Sequence, residues 1–197
     1  MDRQSHRQPR TTGTERMRPR MREQGAAVIE VAMTLSLLLV IAIGAFEYGM
    51  AFRDWIAVNQ STREGVRLAA NSGDHANADC LIPEATAGAL QSLRNSTPLE
   101  VWIYESNTSG AVGSRRQRYR PATPEDTTNL LNCNGVTWKR LQSSWPPSAR
   151  DNEGSDRDWI GVRVIFEHTW ITNFLWWNGT TTWTDDAVMH MEPAVDF

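Results

Sequence analysis

Cysteine is nearly absent from this chain: Cys80 and Cys133 are its only thiols in 197 residues. No C-x-x-C or H-x-x-x-H spacing accompanies them, so a tetrahedral zinc site is not expected, nor any other metal. Also missing are G-x-S-x-G, a Gly-rich phosphate loop and H-E-x-x-H, and no nucleophile and base stand at a telling spacing. The chain is therefore read as not an enzyme, with no catalytic residues and no cofactor. Positive charge is scarce outside the N-terminus. Residues 1–25 hold seven arginines against Asp2, Glu15 and Glu23, a net of +4, whereas the other 172 residues carry a net of −7. A nucleic-acid-binding module concentrates basic charge on its folded part, so nucleic acid is excluded as the expected partner. No internal repeat is visible.

Charge of either sign is scarcest between Ala26 and Phe46, where seventeen of twenty-one residues are apolar and Glu30 is the only ionisable group. As a helix that run extends roughly 31 Å, close to the ~30 Å of a bilayer core. Arg16, Arg18, Arg20 and Arg22 crowd its N-terminal flank, while Glu47, Arg53 and Asp54 follow it. The positive-inside rule then puts residues 1–25, a solvated basic leader, in the cytoplasm and everything after 46 outside. The helix is expected to continue. Tyr48, Phe52, Trp55, Asn59, Thr62, Val66 and Ala69 recur at helical spacing as one stripe, with Arg53, Gln60, Glu64 and Arg67 on another face. Gly73 reads as its C-cap. The expected division is leader 1–25, transmembrane half-helix 26–46, amphipathic half-helix 47–73 and extracytoplasmic domain 74–197.

Within that domain the pattern predicts a short helix over Ala85–Arg94, with Ala89, Leu90 and Leu93 on one side. Strands are predicted at Leu99–Tyr104, at Trp159–Trp170 with Ile160, Val162, Val164 and Phe166 on one face, and near Ala187–Met191. Asn107–Asn129 and Ser143–Ser155 read as loops. A long helix followed by a small antiparallel sheet is an α+β plan. Outside the cytoplasm Cys80 and Cys133 are expected to pair, two unlinked thiols being the alternative. Trp170, Trp176, Trp177 and Trp183 read as core and loop packing, or else as a contact patch. Arg115–Arg120 reads as a solvated loop, or else as a site for acidic surfaces.

The window Arg22-Glu23-Gln24-Gly25-Ala26-Ala27-Val28-Ile29-Glu30-Val31 carries the functional signal. Glycine has no Cβ, which lets a protease approach the bond between Gly25 and Ala26. Glu30, the fifth residue of the apolar run, sits shallow enough to reach the interface. The window resembles the signal of type IV pilins and pseudopilins, in which prepilin peptidase cuts after the glycine and glutamate is the fifth mature residue. Glu47-Tyr48-Gly49-Met50-Ala51-Phe52 and Ser61-Thr62-Arg63-Glu64-Gly65-Val66-Arg67-Leu68-Ala69-Ala70 are similar to segments of the TadE-like pseudopilins of tight-adherence (Tad) pili. Val188-Met189-His190-Met191-Glu192-Pro193 is similar to that family's closing strand.

The resemblance implies a minor pilin, since Val31 stands where the short major pilins carry tyrosine and the outer domain is large. It also implies a cytoplasmic-membrane intermediate, processing by prepilin peptidase, an assembly role for Glu30, and contact with other pilins and the pilus assembly platform in adhesion or secretion. Two other readings stay open: an uncleaved single-span binding protein, and an adhesin or enzyme released after Ala51, where Gly49-Met50-Ala51 offers small residues before Phe52.

Overall fold

The computed structural model describes residues 20–90, 93–175 and 177–193; side chains are described from Gly25 on, except those of Ala89 and Leu90. Most of the basic leader, residues 1–19, lies outside the described residues, as do Trp176 and residues 194–197. Two compact units make up the chain, residues 1–44 and 45–197.

Helix α1 spans Arg20–Ser72 and so begins ahead of the Ala26 start read from hydropathy. In the first unit its apolar side chains stand free of the protein: Val28, Ile29, Val31, Met33, Leu35, Leu37, Leu38, Leu39 and Ile41 are all exposed. Thr34 Oγ1 donates to Glu30 O (2.9 Å) and Ser36 Oγ to Ala32 O (2.8 Å), so the two hydroxyls of the run are satisfied by the helix itself.

The second unit packs the rest of α1 and a second helix, α2 (Ala78–Leu90), on one face of a six-stranded sheet. The strands are β1 (Ser96–Ser106), β2 (Arg116–Pro121), β3 (Leu130–Cys133), β4 (Val136–Ser143), β5 (Trp159–Thr169) and β6 (Thr180–His190). Their spatial order is β3-β4-β2-β1-β5-β6, with every neighbouring pair antiparallel. The α+β plan with an antiparallel sheet is the one read from the sequence.

The inner face is apolar where the register aligns it. Val101 pairs with Val164 and Tyr119, and Ile103 with Val162 and Gln117; all six of these side chains are fully buried. On the outer face Tyr104 pairs with Gly161, and its ring lies where a Gly161 side chain would stand, with Oη 2.7 Å from the ideal Cβ position. That close approach buries a tyrosine on the face opposite the helices.

Elsewhere the structure departs from the pattern read on the sequence. The second helix is Ala78–Leu90, earlier than Ala85–Arg94. Pro83 lies inside it and removes one backbone donor, but buried Ile82 and the link from Cys80 hold the turns before it. The supposed loop Asn107–Asn129 contains β2, whose arginines face outward while Gln117 and Tyr119 are buried. The hairpin of β3 and β4 was not foreseen, although Asn134-Gly135 sits at its turn with φ of 44° and 90°, the left-handed pair such a hairpin requires. β6 begins at Thr180, seven residues before the strand read near Ala187.

Gly73 ends α1 for another reason than a left-handed cap. A Cβ there would stand 2.5 Å from Ala69 O and 3.0 Å from the side chains of Ile160 and Met191.

Candidate functional site

The stripe read from the sequence enters the domain at Thr62, Val66 and Ala69, but nearer the apolar run another face turns inward. Tyr48, Phe52 and Trp55 are exposed, whereas Glu47, Ala51, Asp54, Val58, Ser61, Thr62, Val66, Ala69 and Ala70 are buried. Two carboxylates thus sit where the periodicity alone favoured aromatics. They stay there because the domain supplies donors.

Glu47, with no exposed surface, accepts the backbone N–H of Ile171 (3.1 Å) and that of Thr172. Those donors belong to the connection between β5 and β6. Asp54 Oδ2 accepts the Ser96 hydroxyl (2.7 Å) and lies 3.1 Å from His168 Nδ1, which is also 3.1 Å from Ser96 Oγ. His168 stacks on Trp183 (5.3 Å, 7°) and meets the edge of Trp170 (5.1 Å).

Aspartate, histidine and serine together suggest a nucleophilic relay, but the geometry is wrong for one. A relay needs the carboxylate on one ring nitrogen and the hydroxyl on the other. Here both lie on Nδ1, and Nε2 is buried with no hydrogen-bond partner among the described residues. The cluster locks α1 to β1 and β5.

The lower part of α1 carries the small residues that let it approach α2. Ser61 Oγ donates to Thr86 O, and a side chain on Gly65 would overlap Thr86 Oγ1. Arg63, Glu64 and Arg67 point outward.

At the end of α1, the buried Arg150 guanidinium donates to Gly73 O, to Asp79 Oδ1 (2.6 Å) and to Trp145 O (3.2 Å). Asp79 Oδ2 also accepts from Gln117 Nε2 (2.8 Å) and Tyr119 Oη (2.6 Å). Burial, followed by the Asp79 charge and hydrogen bond, pushes the Tyr119 phenol well above its ordinary value. Beside this network Cys80 and Cys133 form a disulfide, with Cα atoms 5.3 Å apart, tying α2 to the β3–β4 hairpin.

Arg116–Arg120 belong to strand β2, with Arg115 just before it, and do not form a solvated loop. Arg118 pairs with Glu100 (2.8 Å), Arg120 with Asp126 (2.7 Å) and Arg115 with Glu105, while Arg116 and Arg118 each lie 4.8 Å from the Trp102 ring. Trp170 and Trp183 pack around His168, and Trp170 and Trp177 each meet Tyr48 edge-on at 6.0 Å. Among the described residues no three His, Cys, Asp or Glu side chains gather as a metal site.

The residues singled out at the N-terminus lie apart from all this. Gly25 is exposed, with nothing within 4 Å of an added Cβ, and Glu30 is exposed in the same run. The helix holding them includes an eighteen-residue window of mean hydropathy 2.5, of which 0% is buried, long and apolar enough to cross a membrane.

One unpacked apolar stretch, followed in the same helix by a face built into an antiparallel sheet, is an α+β plan. Residues 25–67 match the family model for TadE-like proteins, so the TadE-like part of this chain runs from Gly25 through Arg67. The match takes in the exposed apolar stretch, Glu47, Asp54 and the Gly65 approach. No curated protein and no solved structure matches the chain.

Proposed function

We propose that this chain is a minor pilin of a Tad pilus, made as a precursor that prepilin peptidase cuts between Gly25 and Ala26. Before assembly it is held in the cytoplasmic membrane by residues 26–46, with its N-terminus inside and its domain outside. Once cut, it joins other pilins and the assembly platform through its apolar helix and Glu30, in the service of adhesion or secretion.

The observation that carries this reading is the TadE-like match beginning at Gly25, on a helix whose apolar run stays unburied among the described residues. Such a surface is satisfied by lipid or by similar helices. The exposure of Gly25 supports access of a peptidase to the following bond. Glu30 is the single charge of the run, and a carboxylate there is costly unless something pairs with it.

Release after Ala51 fits the domain poorly. It would cut inside α1 at a buried residue and detach Glu47, whose carboxylate holds the Ile171 and Thr172 amides.

The N-terminal sequence of the mature protein from envelopes tests the proposal. Ala26 is expected. An intact leader would point to the uncleaved anchored binding protein, and Phe52 to a released product. Gly25→Val should leave a full-length, membrane-held precursor, and maturation of that variant would remove the glycine's role.

A further inference from the structure

The connection between β5 and β6 has a composition unlike the rest of the domain. From Thr169 to Thr184, sixteen consecutive residues contain no Asp, Glu, Lys, Arg or His, and four of them are tryptophan. Ile171, Phe174 and Leu175 expose their side chains, and Leu175 is 51% exposed. Leu175 also adopts a φ of 54°, a left-handed conformation that Asn or Gly takes at less cost. A half-exposed leucine in that conformation adds little to the core of its own domain.

Two contacts fix where this loop stands along α1. The Glu47 carboxylate accepts the amides of Ile171 and Thr172, and the Tyr48 ring meets Trp170 and Trp177. Glu47 is the residue immediately after the apolar run 26–46. The loop is thus pinned to the point in the chain where a membrane-spanning helix would leave the hydrocarbon. Tyrosine and tryptophan are the residues that favour that level, where an apolar ring and a polar tip are both accommodated. Exposed Phe52 and Trp55 continue the aromatic surface along α1, and exposed Arg53 between them suits lipid phosphate.

We infer that residues 170–175 and 177, braced by Glu47 and Tyr48, form a foot that seats the domain on the lipid surface, with Ile171, Phe174 and Leu175 at the boundary between headgroups and acyl chains. The occupant of this apolar surface is lipid because the loop is uncharged and is tied to the exit of the anchor. A protein partner is the competing occupant. The inference rests on the membrane-spanning reading of residues 26–46, which the same experiment reads separately.

The full chain would be reconstituted in phosphatidylcholine vesicles with a nitroxide at one introduced cysteine: Leu175→Cys, Phe174→Cys, Leu38→Cys in the apolar run, or Ser155→Cys on an exposed loop. Labelling without reductant keeps Cys80–Cys133 closed. Relaxation by oxygen, which concentrates in lipid, is compared with relaxation by a water-soluble nickel complex.

Leu38→Cys is expected to respond to oxygen and Ser155→Cys to nickel. Leu175→Cys and Phe174→Cys are expected to favour oxygen at an interfacial depth. If both loop labels respond as Ser155→Cys does while Leu38→Cys is in lipid, the foot is refuted and the anchor stands. If Leu38→Cys responds to nickel, the anchor fails and the foot with it. Loop labels shielded from both reagents would mean that protein covers the loop, which overturns the lipid assignment.

Discussion

Gly65 of α1 lies so close to Thr86 of α2 that a Cβ on the glycine would overlap the threonine hydroxyl. Thr86 cannot swing away cheaply, because its hydroxyl donates to Ile82 O (2.7 Å) and the side chain is fully buried. Gly65→Ala is therefore expected to destabilise the domain by about 1–2 kcal/mol, overpacking outweighing the better helix propensity of alanine. Urea unfolding should show a lower midpoint at unchanged slope. The double variant Gly65→Ala/Thr86→Ala should recover part of the loss, since it removes the overlapping atom. Strict additivity of the two changes would rule out this contact as the cause.

The disulfide is expected to contribute to folding mainly through the loop it closes. With a sequence separation of 53 between Cys80 and Cys133, the chain-entropy model gives roughly 4 kcal/mol. Cys80→Ser/Cys133→Ser should lose about that much in urea, and its earliest-exchanging amides should be those of the β3–β4 hairpin at the sheet edge. Uniform exchange across the sheet would contradict a local tether.

Alkaline pH should unfold the domain through its tyrosines. Burial, then the Asp79 charge, raises the Tyr119 phenol; burial, then Asp186, raises that of Tyr104. A raised folded pKa gives stability that is complete below the unfolded value of about 10 and is lost as pH climbs beyond it. The folded state then keeps protons that the unfolded state releases. Urea midpoints should be insensitive to these groups at neutral pH and fall above pH ~10. Tyr119→Phe should flatten that fall, while lowering neutral stability by about 1–3 kcal/mol for the lost bond to buried Asp79. An unchanged alkaline slope in Tyr119→Phe would assign the effect elsewhere.

Cutting and assembly should separate at Glu30. Cleavage would create an Ala26 α-amine, largely protonated at neutral pH with a reference pKa near 8. The amine and the carboxylate stand four residues apart, about 6 Å of helix rise, so a neighbouring helix shifted by that amount brings its amine beside this Glu30. Glu30→Gln is expected to mature normally and to lose crosslinks to partner pilins in membranes. Wild-type crosslinking by the processed variant would remove the assembly role.

The apolar helix and the strongest strand were legible because each is a local pattern. An apolar run of bilayer length needs no partner to be recognised, and Ile160, Val162, Val164 and Phe166 alternate by the pleat alone. The β3–β4 hairpin was also available, in Asn134-Gly135, but its strands are short and their burial comes from the sheet beside them. β2 was hidden by its arginines. A strand with Arg116, Arg118 and Arg120 on one face reads as a loop until Glu100 and Asp126 are brought alongside to pair with two of them.

What the sequence by itself determined is the order of parts: a basic N-terminal stretch, an apolar helix, then an α+β domain. These follow from composition and period, which every residue carries with it. Which face of α1 turns inward was decided only by the tertiary structure. Tyr48, Phe52 and Trp55 form the more apolar stripe, yet Glu47 and Asp54 are buried in their place. A carboxylate enters a protein interior only where donors are already placed for it, and here those donors come from Ser96, Ile171 and Thr172, with His168 at the same oxygen as Ser96, all distant in the chain. No local window of sequence contains both halves of such a bond.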